Sequence, residues 1–355
     1  MLVPGLSPHD AISNDARGMT AALRRLGHEV TLFAQHARGV EEAVRAPEEV
    51  AAWLKSPDDV VIYHYCTGWE FALDLLRSTR ARRVVRYHNI TPPQFFAEWS
   101  DGYVRVCTEG RAQLDAFAAL GCELYLGDSP FNIEDFTSRG VPPERCAVIA
   151  PFHEVDELLR TEPDTRRLPQ GAPLLLMVGR LSPNKGHLDL IDALAACVAN
   201  GAGEAHLLSV GKLDPTLAAY GDALHTRIAT RGLESRITLM QDANGAELRA
   251  AYERADALVV LSRHEGFCVP LIEAMALGTP VIALASSAMP WTIGDAGLVW
   301  DSAEPHLIAA ALARLRADAV LRETLRVAGR ERYARVFASE VLARELGDVV
   351  RRFLS

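Results

Sequence analysis

The sequence predicts an α/β protein made of two doubly wound parallel sheets, one in each half of the chain. Three observations predict it. Short apolar runs alternate with amphipathic stretches along nearly the whole length, the pattern of parallel strands joined by crossover helices. The alternation is written twice, once on each side of a polar, proline-bearing stretch at residues 160–172. The 355 residues also exceed what one ordinary core organises.

In the first half, residues 30–34, 60–65, 83–88, 123–126 and 147–150 read as strands, and one more precedes the loop at 5–14. Residues 16–26, 69–78 and 111–120 read as helices, the first stopped by Gly27 in the left-handed position past a helix end. In the second half the strands are 174–178, 206–210, 236–240, 257–261 and 280–283, and the helices 187–200, 217–231, 246–254 and 270–277. The domains this implies are residues 1–163 and 172–334, with about 335–355 completing the first domain at the end of a helical run from 328 to 354.

Hydrophobic residues make up 49% and charged residues 23%, the balance of a globular chain. The net charge of −9 argues against nucleic acid as a partner. Six scattered cysteines include no C-x-x-C pair, so neither a zinc site nor a dithiol is signalled, and reduced thiols in a cytoplasm are expected. No basic stretch followed by a long apolar run opens the chain, and no run of about 18 apolar residues occurs, so neither a signal peptide nor a membrane span is expected.

Two segments of the second half carry chemistry. LLLMVGRLSPNKG, residues 174–186, is a buried strand, a turn and the start of a helix. Ligands of open parallel sheets lie beyond the carboxyl ends of strands, so Arg180 and Lys185 stand where a ligand is expected. Two cations at a helix N-terminus make a diphosphate cradle, and two solvated surface charges are the alternative. SRHEGFCVPLIEAMALG, residues 262–278, again follows a strand directly. Glu265 falls in its loop and Glu273 in the first turn of the next helix, and the amides of Gly266, Phe267 and Cys268 face the same crevice. A carboxylate accepts two hydroxyls well, so one glutamate suits a transferred sugar and the other a ribose. A charge favourable near a helix N-terminus is the plainer reading of Glu273.

Together, VGRLSPNKG and the Glu265…Glu273 pair in EGFCVPLIEAMALGTPVIA resemble the Arg/Lys and E-x₇-E motifs of the retaining glycosyltransferases of family 4. That resemblance implies a GT-B fold, two Rossmann-like domains facing across a cleft, with the last helix crossing back to the first domain. It implies transfer of a hexose-type sugar from a UDP- or GDP-linked donor to an acceptor hydroxyl with retention. No metal and no cofactor beyond that co-substrate are expected, since no Asp-x-Asp signature stands out. The resemblance also implies that His88, at the end of VVRYH, lies beside the donor sugar. His64 in VVIYHY has no such counterpart and reads as structural. The Asp10–Asp15 run (DAISND) suggests an acceptor or phosphate role for Asp10 and the amides of Ala11, Ile12 and Ser13, with helix capping by Asn14 or Asp15 as the equal alternative. Asn132 in GDSPFNIEDF is expected to cap a helix.

Two positions depart from the family pattern. Gln241 stands where a glycine is usual near the nucleobase, and Trp291 follows Pro290 where glutamate is frequent. Four rival readings remain at this point. A glycoside hydrolase uses paired carboxylates but needs no cationic cradle. A sugar-nucleotide epimerase of the same fold, or a non-catalytic donor-binding subunit, would keep the cradle. A dinucleotide dehydrogenase lacks its G-x-G-x-x-G. The acceptor class (glycan, lipid-linked sugar or small molecule) and the oligomeric state are not written in the sequence. Arg330, Arg332, Arg335, Arg344, Arg351 and Arg352 either dock a membrane surface, placing the chain at its inner face, or decorate the outer side of a packed helix, which is the expectation.

Overall fold

The computed structural model describes residues 1–8 and 10–354, and these form two units. The first comprises residues 1–93, 103–154 and 337 onward; the second comprises 94–102 and 155–336.

The first unit holds seven strands: β1 Leu2–Leu6, β2 Leu32–Ala37, β3 Val44–Arg45, β4 Val60–Tyr65, β5 Arg82–Tyr87, β6 Leu124–Gly127 and β7 Cys146–Val148. They pair in the order β3-β2-β1-β4-β5-β6-β7, all parallel. The second unit holds six: β8 Leu174–Val178, β9 His206–Val210, β10 Ile237–Met240, β11 Ala257–Val260, β12 Val281–Leu284 and β13 Leu298–Trp300. Their order is β10-β9-β8-β11-β12-β13, again all parallel. Strand order reverses beside β1 and β4 in one sheet and beside β8 and β11 in the other. Those switch points open a crevice at the carboxyl ends of the strands. The central strands are apolar on both faces, as sheets covered by helices on both sides require; Leu174, Leu175, Leu176, Met177, Leu258 and Val259 are all buried.

Several expected boundaries move, each for a local reason. β3 and β13 have two and three residues, too few to show a period. The helix expected at 111–120 begins at Asp101, running Asp101–Ala112 and then Leu114–Ala119. Its first part buries only Cys107 and Gly110, so no apolar stripe announced it. The expected helical run to residue 354 is broken: Ala319–Arg332, a wide turn over Tyr333–Phe337, then Ser339–Phe353. The last of these buries Val341, Leu342, Leu346 and Gly347 and packs beside the helix Ala11–Arg25 of the same unit. Arg344, Arg351 and Arg352 are left exposed, whereas Arg332 is half-buried and donates to the carbonyls of Trp291 and Thr292.

One buried charge organises the first unit. Arg86, on β5, is fully buried. Its Nε and Nη2 donate to Asp15 at 2.9 and 3.2 Å, its Nη1 to the carbonyls of Ile149 and Gly127 at 2.8 and 3.1 Å, and its Nη2 pairs with Asp128 at 2.8 Å. Asp15 also accepts from the Phe152 amide at 2.8 Å. One guanidinium thereby ties the helix Ala11–Arg25 to the carboxyl ends of β5, β6 and β7. Burial alone would raise the Asp15 carboxyl, but Arg86 and the neighbouring histidines hold it below its ordinary value.

Arg86→Met leaves two buried carboxylates without their cation, so unfolding stability is expected to fall by about 3–5 kcal/mol. Urea denaturation checks this, and a loss below about 1 kcal/mol would mean that the carboxylates do not depend on Arg86. A second expectation concerns acid. His187 is buried, and burial, followed by the nearby Lys185 charge, brings it down to about 4. An unfolded histidine titrates near 6.5, so between about 6.5 and 4 the unfolded chain binds a proton that the folded chain does not. Stability should therefore fall as pH drops through that window. His187→Leu should flatten the fall in a urea series from pH 7 to 5, and an unchanged slope would assign it to other groups.

Candidate functional site

The two predicted segments meet at the switch point of the second sheet. β8 ends at Val178; Gly179–Gly186 follow, and the helix His187–Ala199 begins. β11 ends at Val260, and its loop leads to the helix Val269–Leu277. Side chains stitch the two loops. The Arg263 amide donates to the Asn184 carbonyl at 2.8 Å, and Asn184 Nδ2 donates to the His264 carbonyl at 3.1 Å. Ser182 Oγ holds Asn184 Oδ1 at 2.7 Å. The approach is so close that Gly186, at φ 75°, has the Leu261 carbonyl oxygen 2.2 Å from where a Cβ would stand. A glycine is required there both for its left-handed backbone and for its missing side chain.

Lys185 Nζ donates to Glu265 Oε1 at 2.6 Å, and the two side chains are 18% and 8% exposed. This partly sheltered pair brings together two of the predicted residues from loops 80 positions apart. The Glu265 amide donates to Ser287 Oγ at 3.1 Å, which anchors the glutamate to the turn after β12. Arg180 is exposed, and among the described residues its guanidinium has no ion-pair partner. The N–H groups of His187 and Leu188 face the Tyr220 hydroxyl, so part of that helix N-terminus is already occupied.

Glu273 lies on the helix Val269–Leu277, half-buried, and its Oε2 accepts from Tyr252 Oη at 2.5 Å. Gly266 is half-buried, and Phe267 and Cys268 are buried. Cys268 adopts φ 75°, among the described residues one of three non-glycine positions in the left-handed region, with Asn89 at 68° and Ser287 at 49°. Each stands in a loop following a strand's carboxyl end, where strain accumulates at functional sites. Burial, followed by Glu265, pushes the Cys268 thiol well above its ordinary value, so it is no thiolate nucleophile. Gln241 is exposed and its Oε1 accepts from the Leu213 amide at 3.0 Å, closing the loop after β9. Trp291 packs edge-on to Phe267 with ring centroids 6.2 Å apart.

In the first unit, His88 Nδ1 lies 3.0 Å from Asp128 Oδ2 and His88 Nε2 lies 2.9 Å from His64 Nδ1. The rings are 5.1 Å apart with planes at 13°, nearly coplanar and joined edge to edge. Both His88 nitrogens are thus engaged inside the unit, and the ring is 4% exposed. His64, read as structural from sequence, is fully buried and held well below its ordinary value by burial and then by His88. Asp15, His64 and His88 form the one described group of side chains compact enough to converge on a cation. Its donors are poorly set for one. The two histidine nitrogens aim at each other across a hydrogen bond, and Asp15 is spent on Arg86.

Capping differs from expectation at two helices. Asp10 caps Ala11–Arg25, accepting from the Ser13 amide and hydroxyl at 2.9 Å each; Ser13 Oγ in turn accepts from the Ser7 amide at 3.0 Å. Asn14 and Asp15 are a turn further on and are not caps. Ala11 is exposed and Ile12 half-buried in that first turn. At Pro130–Thr137 the cap is Ser129, because Asn132 already sits three residues into the helix. Asn132 instead donates to the Tyr87 carbonyl at 3.2 Å and accepts from Asn89 at 3.1 Å, holding the left-handed turn after His88. Sequence reasoning missed Tyr252, Asn184, Ser287, Asp128 and Arg86. Only a buried arginine's cost, which demands partners, could have flagged the last.

Residues 160–332 match the family described as glycosyl transferases group 1. D-inositol 3-phosphate glycosyltransferase of Thermomonospora curvata is 32% identical over 225 residues, 59% of this chain and 52% of that protein. Mannosylfructose-phosphate synthase of Agrobacterium fabrum is 28% identical over 184 residues, 48% and 40% of the two. The chain spans about half the length of the curated relatives it matches. Among solved structures, Anabaena Alr3699/HepE in complex with UDP superposes with a TM-score of 0.78 at 19% identity over 99% of both chains. Sucrose-phosphate synthase from Thermosynechococcus elongatus gives 0.78 at 21% identity over 99% of this chain and 98% of that one. At those identities the likeness concerns the fold, which is GT-B. Residues 160–332, just under half of the chain, thus carry the match to glycosyl transferases group 1, and the two parallel sheets carry the GT-B fold, which together support a family 4-type glycosyltransferase.

Proposed function

We propose that this chain transfers a hexose-type sugar from a UDP- or GDP-linked donor to an acceptor hydroxyl, with retention at the anomeric carbon. The observation that carries the reading is the Lys185–Glu265 pair at the switch point, with exposed Arg180 just past the end of β8 and Glu273 on the adjoining helix. Structures similar in fold hold UDP, and one holds UDP-glucose, which favours a nucleotide-sugar donor.

In this reading Lys185 exchanges Glu265 for the donor diphosphate, and Arg180 joins it. Charge grows on the departing diphosphate as the bond to the anomeric carbon breaks, and preorganised cations stabilise it there. Glu265 orients the sugar and faces its developing cationic ring. Glu273 accepts the ribose hydroxyls. The acceptor oxygen bonds to the same face of the anomeric carbon, and its proton passes to the departing phosphate oxygen. Asp10 and the amides of Ala11, Ile12 and Ser13 line the acceptor or phosphate side. His88 acts from the first unit, its ring held by Asp128 and His64. No metal enters the scheme.

Two expected outcomes test it. In a thermal-shift screen without metal, one nucleoside diphosphate among UDP, GDP, TDP and ADP should stabilise the protein. At 100 times its Kd the gain is about 2.7 kcal/mol. Glu273→Ala should abolish most of that shift, and silence from every diphosphate would remove the donor site. Once a donor and acceptor are found, proton NMR of the fresh product should show the donor's anomeric configuration; an inverted product would overturn the retaining assignment.

A further inference from the structure

We propose that the second unit carries a phosphate-binding site of its own, formed by Arg326 and Arg330 on the edge of the sheet opposite Lys185 and Glu265. A cavity of about 200 Å³ opens where the helices Gly245–Arg254 and Val269–Leu277 end, just before β11 and β12 begin. Lys185 and Glu265 lie past the other ends of the strands, so this cavity is separate from the switch point. The helix Ala319–Arg332 crosses here at close range: the Met275 Cα is 3.4 Å from where a Cβ on Gly329 would stand. Arg326, half-buried, and Arg330, exposed, are four residues apart on one face of that helix, and both line the cavity. Its volume far exceeds the roughly 30 Å³ a water takes up, which leaves room for a phosphate and a small substituent.

An arginine at a helix end often caps the last carbonyls. Arg332, on the same helix, does this: lying over Gly294 (φ 58°), it donates to the carbonyls of Trp291 and Thr292. Arg330 lies over Gly278 (φ 72°) in the same manner, its Cζ 3.1 Å from where a Cβ would stand. Yet among the described residues its one partner is Glu323 at 3.5 Å, with the two side chains 48% and 59% exposed, a pair that holds little. Arg326 has no hydrogen-bond or ion-pair partner among the described residues, and its Nε is shut away from solvent. The acceptors nearby are already served. The Met275 and Ala274 carbonyls take the Gly278 and Thr279 amides, the Tyr252 carbonyl takes Thr279 Oγ1, and Glu253 pairs with Arg249 at 2.8 Å. Two like charges four positions apart repel, and a buried N–H without an acceptor costs stability. A phosphate group relieves both, because its oxygens match two planar guanidinium forks. A neutral ligand would leave the repulsion in place, and a cation would worsen it.

Calorimetry on the full chain tests the site, with inorganic phosphate, glucose 6-phosphate and glucose as probes. Both phosphates should bind and glucose should not. Tighter binding of glucose 6-phosphate identifies a phosphorylated sugar or polyol as the occupant, equal binding identifies free phosphate, and either supports the site. Arg326→Gln and Arg330→Gln should each weaken phosphate binding about ten-fold or more, the loss of one charge-assisted contact. Arg326→Lys, which keeps the charge without the fork, should weaken it less, and Lys185→Gln should leave it intact. Binding lost in Lys185→Gln and kept in Arg326→Gln would put the phosphate in the donor cradle and overturn the proposal. Displacement by chloride at equal concentration overturns it as well, since any anion would then serve. If the arginines only brace the helix ends, the glutamine variants melt earlier while the unaltered protein binds neither phosphate, and the site does not exist. An independent measure needs no variant: phenylglyoxal labelling read by peptide mass spectrometry. Phosphate should protect Arg326 and Arg330 but not exposed Arg344, and equal labelling with and without phosphate counts against the site.

Discussion

At the switch point of a parallel sheet two neighbouring strands send their connections to opposite faces, and the backbone ladder cannot close the gap between them. Whatever occupies that gap must be side chains or a ligand. In the second unit Asn184 bridges the loops after β8 and β11, and Gly186 permits their approach. The Lys185–Glu265 pair lies across the same divide. A cation and an anion placed there satisfy each other without a ligand, yet remain partly within reach of solvent. That balance suits the proposed exchange, in which a diphosphate offers Lys185 more negative charge than one carboxylate does and would release Glu265 toward the sugar.

The first unit meets a related demand with charges of the opposite character. Arg86, Asp15 and His64 are fully shut away from solvent. A buried ion pair adds little net stability over well-packed apolar residues, but it fixes directions that apolar contacts leave loose. Here the directions fixed are those of the carboxyl ends of β5, β6 and β7 and of the helix Ala11–Arg25. The Asn89 turn, held by Asn132, follows immediately. Charges in the first unit therefore set geometry, whereas the proposed function has those at the second switch point exchange partners.

How much of this was legible in the sequence depends on the range of the interaction. Continuous apolar runs marked β4, β8 and β9 to the residue, because strands buried on both faces carry their signal in every position. The Glu265 and Glu273 spacing was readable for a similar reason: loop and helix are adjacent in the chain. β3, β13 and the exposed helix Asp101–Ala112 gave no such pattern. Contacts between distant positions left no trace at all. Tyr252 meets Glu273 across 21 residues, His88 meets Asp128 across 40 and Arg86 meets Asp15 across 71. The Asp10 cap was missed differently. Three capping residue types, Asp10, Asn14 and Asp15, lie within six positions, and propensity does not choose among them; the Ser13 hydroxyl does, by bonding Asp10 and the Ser7 amide at once.

The His64–His88 line bears on which group can act as base in the proposed reaction. A base needs a free lone pair aimed at the proton it takes. His88 has neither nitrogen free: one faces Asp128, and the other shares a hydrogen with His64. His64 is deeper still, and Cys268 is held as a thiol by burial. Glu265 is committed to Lys185, and in the proposed reaction it then faces the sugar. The departing phosphate oxygen remains, and it gains basicity as its bond to carbon stretches, on the same face the acceptor must approach. In the proposed reaction, groups so engaged offer water no deprotonation route independent of leaving-group departure. That arrangement favours transfer to a bound acceptor hydroxyl over hydrolysis of the donor.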